Sequence, residues 1–303
     1  MIQNRKPGSQ HHRSRAVILV SFLFLVILLA LTSVPSFANE PPAALQPMTV
    51  TDVKPLGVVT FPTGMMFKET EVGGLSGITY DAAKRVYYAV SDDGSRRAPA
   101  RYYTLDIDLS GEKLEDGDVT LLDVTYLRDQ DGRTFAPRTI DPEGIELMPS
   151  GQVFIASEGD VSAWPRPGPT VNRLFATGKL DKILPTPAKF LPDWGGSSGI
   201  RTNRAFESLT STPDRQTLYV ATENALFQDG SKPTRVANSP SRLVEFNQDS
   251  LLPGSEYVYE VSPLPKAPIP ILSSLFAENG LVELQALDNV GTFLALERSF
   301  ALG

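Results

Sequence analysis

The sequence has no cysteine, and both of its histidines, His11 and His12, lie close to the N-terminus. A chain without cysteine has no disulfide, no thiol nucleophile and no lipid anchor on cysteine. If an N-terminal segment is removed on export, no histidine remains either. That loss excludes a Ser-His-Asp hydrolase, a phosphohistidine phosphatase and a typical zinc site. A serine nucleophile would then need activation by lysine or a carboxylate, and what remains is a mechanism that uses a hard cation held by carboxylates.

The chain also lacks an apolar run of the ~20 residues that a membrane-spanning helix requires. The run Ala16–Leu31 has 16 uncharged residues, follows a basic start and precedes the small residues around Ala38. This order predicts a secretory signal peptide over residues 1–38, cleaved after Ala38. The alternative is an N-terminal anchor, in which residues 16–31 tether the protein to a membrane. In both cases we expect an exported protein that is periplasmic, on the cell surface or secreted.

Positive charge is scarce in the rest of the chain. Residues 1–38 hold four of the 28 basic residues and none of the 35 acidic ones, so the remainder has 24 basic against 35 acidic residues and a net charge of −11. An acidic body without a Lys/Arg block is a poor binder of nucleic acid, because phosphate contacts come from clusters of basic side chains. We therefore predict no nucleic-acid partner, and we expect a monomer.

Four two-stranded units with polar ends recur along the chain. The clearest copy joins Ile140–Leu147 to Gly151–Glu158 across a short turn. The end residues of a copy are 14 to 16 positions apart, and the copies follow one another at steps of 67, 64 and 76 residues: Ser76 to Asp92, Glu143 to Glu158, Glu207 to Glu223 and Glu283 to Glu297. Such repeats predict an all-β radial array of hairpins, most simply a β-propeller. If the blades share an axis, the carboxylates converge there into one cluster.

These patterns divide the chain into three segments. We expect the signal segment at 1–38, a flexible leader at 39–52 and a β-propeller domain at 53–303. Residues 161–204 are rich in Pro and Gly. We expect them to form a long loop, either a lid over the axial cluster or a surface decoration. No outer strands follow the fourth copy, so we expect the last blade to be truncated.

Short motifs at the four copies resemble the phytase-like family, named for the esterase-like activity of phytase. They are Gly73–Ile78, Ser91–Gly94, Asp141–Ile145, Ser157-Glu158, Asn203–Leu209 and Leu294–Arg298. Their order and spacing are more specific than any one of them. The family usually has glycine where this chain has Ala205 and Ser208. The resemblance implies a β-propeller and hydrolysis of phosphoesters or other esters.

Oxygen ligands on an acidic, histidine-free body suit a hard cation, so we predict bound Ca²⁺. We assign catalytic roles to Glu143, Glu207 and Arg298, and substrate binding to Arg204 and Arg138. We assign Ca²⁺ binding to the other acidic residues of the repeats, Asp92, Glu158, Glu223, Glu283 and Glu297. Bound Ca²⁺ would hold phosphate oxygens, and the arginines would clamp the phosphate or carboxylate of a small-molecule phosphoester or ester.

Three alternatives remain open at this level. The first is the Ca²⁺-dependent phosphoesterase described above. The second is that the carboxylates accept backbone N–H groups or pair with Arg298, and so hold the blades together. The protein would then be a non-catalytic ligand-binding or scaffold propeller of the cell envelope. A sugar-lactone or ester hydrolase with a central metal is the third reading. The phosphoesterase would release phosphate in a chelator-sensitive way, the binding propeller would bind a ligand without turnover, and the lactone or ester hydrolase would cleave uncharged esters.

Overall fold

A computed structural model describes residues 47–160, 162, 167–193, 195–265 and 277–301. The predicted signal segment and membrane tether lie outside these residues. Within the described part, no helix is long and apolar enough to cross a membrane.

The described residues fold into strands with almost no helix. Two short strands, β1 (Met66–Phe67) and β2 (Thr70–Glu71), pair before the first blade. Blade 1 consists of β3 (Leu75–Asp81), β4 (Val86–Ser91), β5 (Arg101–Ile107) and β6 (Val119–Tyr126). Blade 2 consists of β7 (Pro142–Leu147), β8 (Val153–Ser157), β9 (Thr170–Leu174) and β10 (Leu180–Ile183). Blade 3 consists of β11 (Phe206–Ser211), β12 (Thr217–Thr222), β13 (Ser239–Asn247) and β14 (Pro253–Val261). Blade 4 pairs β15 (Ala277–Ala286) with β16 (Phe293–Ala301).

Each of the first three blades is a four-stranded antiparallel sheet in which every strand pairs with the next in sequence. The inner strands pack on one another in chain order, β3 on β7, β7 on β11 and β11 on β15. This arrangement confirms the predicted β-propeller architecture of hairpin repeats.

The hydrophobic core lies between neighbouring blades. Strand β8 is buried along its whole length, which explains the continuous apolar run Val153–Ala156. Its side chains divide between the two interfaces: Ile155 packs towards Tyr102 of blade 1, and Phe154 packs with Phe206 of blade 3. A smaller cluster around Leu243 and Leu281 joins blades 3 and 4. The blades are therefore held together mainly by apolar contact.

Two glycines allow the inner strands of adjacent blades to approach closely. A Cβ on Gly77 would lie 2.6 Å from the carbonyl oxygen of Glu143, and a Cβ on Gly144 would lie 2.7 Å from the Cβ of Leu209. Blade 3 has Ser208 at the corresponding place. Ser208 is fully buried, and its hydroxyl has no hydrogen-bond partner among the described residues.

The expected long loop at 161–204 is wrong for much of that stretch. Strands β9 and β10 occupy Thr170–Leu174 and Leu180–Ile183 and form the outer half of blade 2. A short 3₁₀ turn, Ala188–Phe190, follows and buries the Phe190 ring against Phe206. The Pro and Gly content misled the prediction because the strands between these residues are only four or five residues long.

Candidate functional site

Five buried carboxylates from blades 2 and 3 lie together where the inner hairpins begin. Oxygens of Asp141, Glu143 and Glu158 lie within 4.8 Å of one another, and so do oxygens of Glu158, Glu207 and Glu223. Glu158 belongs to both sets. All five side chains are buried, and Glu158 is only 1% exposed. We call these five residues the carboxylate cluster.

A repeated irregularity in the inner hairpins positions these side chains. Near the start of the inner strand in blades 1 to 3, and midway along β15 in blade 4, the pairing shifts so that the inner strand carries one extra residue, a β-bulge. Two positions therefore recur in the four blades. The bulge position holds Ser76, Glu143, Glu207 and Val282, in blade order. The end position lies on the second strand of each hairpin, one residue after the partner of the residue that precedes the bulge. It holds Asp92, Glu158, Glu223 and Arg298 in blade order.

Burial and mutual repulsion disfavour full ionisation of the cluster. Burial, together with the charges of Glu143, Glu158 and Glu223, raises the pKa of Glu207 to about 11. Burial and neighbouring carboxylates raise the pKa of Glu158 to about 7, although Glu158 accepts a hydrogen bond from the Ala205 N–H. The pKa of Glu143 is also raised well above its ordinary value by burial and by Glu158. At neutral pH the cluster must hold protons or a bound cation.

Three arginines border the cluster. Arg204 lies 3.3 Å from Glu223 and also pairs with Glu278. Arg298 approaches Glu207 only to 3.8 Å, with two thirds of its side chain exposed. Arg96 approaches Asp141 to 3.4 Å and is half exposed. Arg204 is thus a buried structural partner, whereas Arg298 and Arg96 are loosely held and accessible from solvent.

The structure brings together part of the predicted site and leaves the rest apart. Glu143, Glu158, Glu207 and Glu223 meet in the cluster, with Arg204 and Arg298 beside it. Asp92 is exposed and lies against Gly74, and its Oδ1 occupies the space that a Cβ on residue 74 would fill. Arg138 pairs with Asp160 and donates to Ser162 instead of reaching the cluster carboxylates.

Glu297 and Glu283 do not join the cluster, because of strand register. Glu297 pairs with Leu281, so it corresponds to Ser157 and Thr222, not to Glu158 and Glu223. Successive side chains of a strand face opposite sides, and Glu297 therefore points away. Its carboxylate accepts hydrogen bonds from the Tyr259 hydroxyl at 2.9 Å and the Asn279 amide at 2.7 Å.

Glu283 lies one residue past the bulge of blade 4. Its carboxylate accepts the Leu284 N–H at 2.9 Å, and burial with the charge of Glu146 raises its pKa to about 7. Glu146 is itself buried and pairs with Arg215 and Ser211. These residues form a second polar group, further along the inner strands than the carboxylate cluster.

Sequence reasoning missed three residues of the site. Asp141 and Arg96 are members of the cluster and its border, and Ser76 donates its hydroxyl to Oε2 of Glu143 at 2.5 Å. Asp141 stands two residues before Glu143 inside a motif already noted. The repeat alignment already placed Ser76 at the position that Glu143 and Glu207 hold in the next blades, but it assigned Ser76 no role in the site.

The donor set of the cluster suits a hard divalent cation. Its ligand atoms are all carboxylate oxygens, which Ca²⁺ prefers, and the described residues contain neither histidine nor cysteine. The residues present therefore fit the predicted cation.

Comparison with known proteins gives a family match. The sequence profile of the phytase-like family, described as "Esterase-like activity of phytase", matches residues 70–303. No curated protein matches the chain.

Several solved propellers and lactonases are distantly similar in structure. The periplasmic gluconolactonase of Pseudomonas aeruginosa is 14% identical with a TM-score of 0.37, and the match covers 76% of this chain and 67% of the gluconolactonase chain. The Dos1 propeller is 11% identical with a TM-score of 0.32, covering 66% of this chain and 40% of its own. A putative 6-phosphogluconolactonase from Bacteroides uniformis is 12% identical with a TM-score of 0.30, covering 77% and 74%. Similarity this low carries no function to the chain.

Proposed function

The chain belongs to the phytase-like family, and from this membership and the carboxylate cluster we propose that it is a cation-dependent hydrolase of small phosphoesters or other esters. The observation that carries the proposal is the convergence of Glu158, Glu207 and Glu223, whose oxygens lie within 4.8 Å of one another in a buried site. Three like charges so close together call for a compensating positive charge. Ca²⁺ is the cation that this donor set suits best.

We place the cation in this set because the repulsion between carboxylates is strongest at Glu207, whose pKa is raised to about 11 by burial and by neighbours that include Glu158 and Glu223. The other two carboxylates, Asp141 and Glu143, lie beside Arg96 and the hydroxyl of Ser76. A bound divalent cation supplies positive charge that polarises an ester or phosphoryl oxygen and stabilises the charge that develops on it.

The accessible arginines give the site a preference for anionic substrates. Arg298 and Arg96 are each held by one distant contact, so each can turn its guanidinium to a phosphate or carboxylate at little cost. Both lie close enough to Asp92 to lower its pKa, although partial desolvation of its carboxylate and the charge of Asp93 raise that pKa more. A phosphate placed near Asp92 would therefore meet two positive charges. We further propose that the protein acts after export, as the predicted signal segment implies.

One observation favours a second candidate, a non-catalytic binding propeller. Arg204 is buried and pairs with Glu223, so part of the cluster is neutralised without any cation. In that case the carboxylates would stabilise the packing of blades 2 and 3, and turnover would be absent.

The test combines unfolding and turnover in residues 39–303. We expect Ca²⁺ at a hundredfold excess over Kd to raise the free energy of unfolding by about 2.7 kcal/mol, reversed by EDTA. Release of p-nitrophenol from p-nitrophenyl phosphate or acetate should fall with the same chelator. Glu223→Gln should lose both effects, whereas Glu260→Gln on the exposed outer strand β14 should keep them. Stability and turnover that are both indifferent to Ca²⁺ and EDTA would contradict the proposal, and ligand binding without turnover would favour the second candidate.

A further inference from the structure

Ser76 occupies a position that carries a carboxylate in the two following blades. It stands at the bulge of blade 1, where Glu143 and Glu207 stand in blades 2 and 3. The β-bulge that aims those carboxylates at the cluster aims the hydroxyl of Ser76 there too. The result is a hydroxyl oxygen within hydrogen-bond reach of a buried carboxylate, with Ser76 donating to Oε2 of Glu143 at 2.5 Å.

The two partners differ in accessibility in the way that a nucleophile and its base require. Ser76 is half-buried, while Glu143 is buried beneath it at 8% exposure. The strand neighbours Leu75 and Ile78 are 38% and 49% exposed, so an apolar surface flanks the hydroxyl. A substrate, and later a water, can therefore reach the Oγ of Ser76 from solvent.

We propose that Ser76 is the nucleophile of the hydrolysis, with Glu143 as the base that accepts its proton; this inference rests on the proposed hydrolase function. The Oγ of Ser76 forms a bond to the carbonyl carbon or phosphorus of the ester, and its proton moves to Glu143. The bond to the leaving alkoxide breaks, and the alkoxide takes the proton from Glu143. A water then gives a proton to Glu143, and its oxygen forms a bond to the acyl or phosphoryl group. The bond from that group to the Oγ of Ser76 breaks, and Oγ takes the proton from Glu143, which restores the hydroxyl and releases the acid.

Among the described residues, no other serine donates its hydroxyl to a carboxylate of the cluster. Arg298 and Arg96, which border the same group of carboxylates, are the positive charges available to stabilise a developing oxyanion. The inference thus accounts for why blade 1 has a serine where the next two blades have glutamate.

The experiment labels the full chain with an alkyl fluorophosphonate, from which an activated serine displaces fluoride. Intact mass and peptide mapping then locate the adduct. We expect one adduct per chain on Ser76, none in Ser76→Ala, and a labelling rate at least ~100-fold lower in Glu143→Gln, because base catalysis contributes at least that factor. Ser255→Ala, on the exposed edge of blade 3, should label as the wild type does.

Turnover separates this inference from the proposed function. If Ser76→Ala, with an unchanged unfolding midpoint, still hydrolyses p-nitrophenyl esters at the wild-type rate in a chelator-sensitive way, the function stands and the nucleophile is wrong. If the wild type labels at Ser76 yet turns over no ester, the activated serine stands and the hydrolase function fails. Absence of label on Ser76 in the wild type overturns the inference whatever the turnover.

Discussion

Replacing Glu207 by glutamine should stabilise the cation-free protein at neutral pH and destabilise the cation-bound one. Burial and three neighbouring carboxylates raise the pKa of Glu207 from 4.5 to about 11. An acid whose pKa is raised on folding keeps its proton in the folded state while the unfolded chain loses it. Stability is therefore full below about pH 4.5 and falls as the pH rises towards 11.

The magnitude follows from the pH interval. Between pH 4.5 and pH 7 the unfolded state releases the Glu207 proton and the folded state retains it. At about 1.4 kcal/mol per pH unit, this costs about 3 kcal/mol of unfolding free energy at pH 7. Glutamine has the shape of the protonated acid and does not ionise. The Glu207→Gln variant should therefore be about 3 kcal/mol more stable than the wild type at pH 7 in chelator, and equal to it near pH 4.

Calcium should reverse the order of the two proteins. A cation that needs the Glu207 carboxylate stabilises only the wild type. At a thousandfold excess over Kd this gain is about 4.1 kcal/mol, which exceeds the advantage of about 3 kcal/mol that the variant has in chelator. Urea unfolding at pH 4 and pH 7, with EDTA or with Ca²⁺, measures all four differences. If the two proteins unfold alike at both pH values in EDTA, Glu207 is ionised and held by Arg298, and the electrostatic reasoning about the cluster fails.

Two further substitutions probe the packing around the site. Arg215→Ala leaves the buried Glu146 without its positively charged partner, so we expect urea unfolding at pH 8 to show a loss of about 3 kcal/mol. The loss should shrink below pH 7, because burial raises the pKa of Glu146 to about 7. A loss that is the same at both pH values would contradict this. Gly144→Ala places a Cβ 2.7 Å from Leu209, so we expect a thermal destabilisation of about 2 kcal/mol, whereas Gly73→Ala, which meets nothing within 4 Å, should be neutral. Equal unfolding midpoints for the two alanine variants would mean that the blades are not in close contact.

The propeller was predictable because its signals are local. Alternating apolar residues, short turns and a coarse repeat report on each hairpin separately, and hairpins of similar length pack into similar blades. The outer strands of blade 2 were missed because β9 and β10 are four or five residues long and lie among Pro and Gly. A short strand leaves too few side chains to show a period.

The sequence by itself determined that hairpins with acidic ends recur, and that Glu143, Glu158, Glu207 and Glu223 lie at equivalent ends. It could not determine which side chain of blade 4 takes part. Spacing made Glu297 the counterpart of Glu223, whereas the register of β15 and β16 gives that place to Arg298. A strand alternates its faces with every residue, so one extra residue at a bulge turns a carboxylate away and an arginine inward. Tertiary packing also decided the chemistry of Ser76, because its hydroxyl becomes notable only where blade 2 brings the buried Glu143 within 2.5 Å of it.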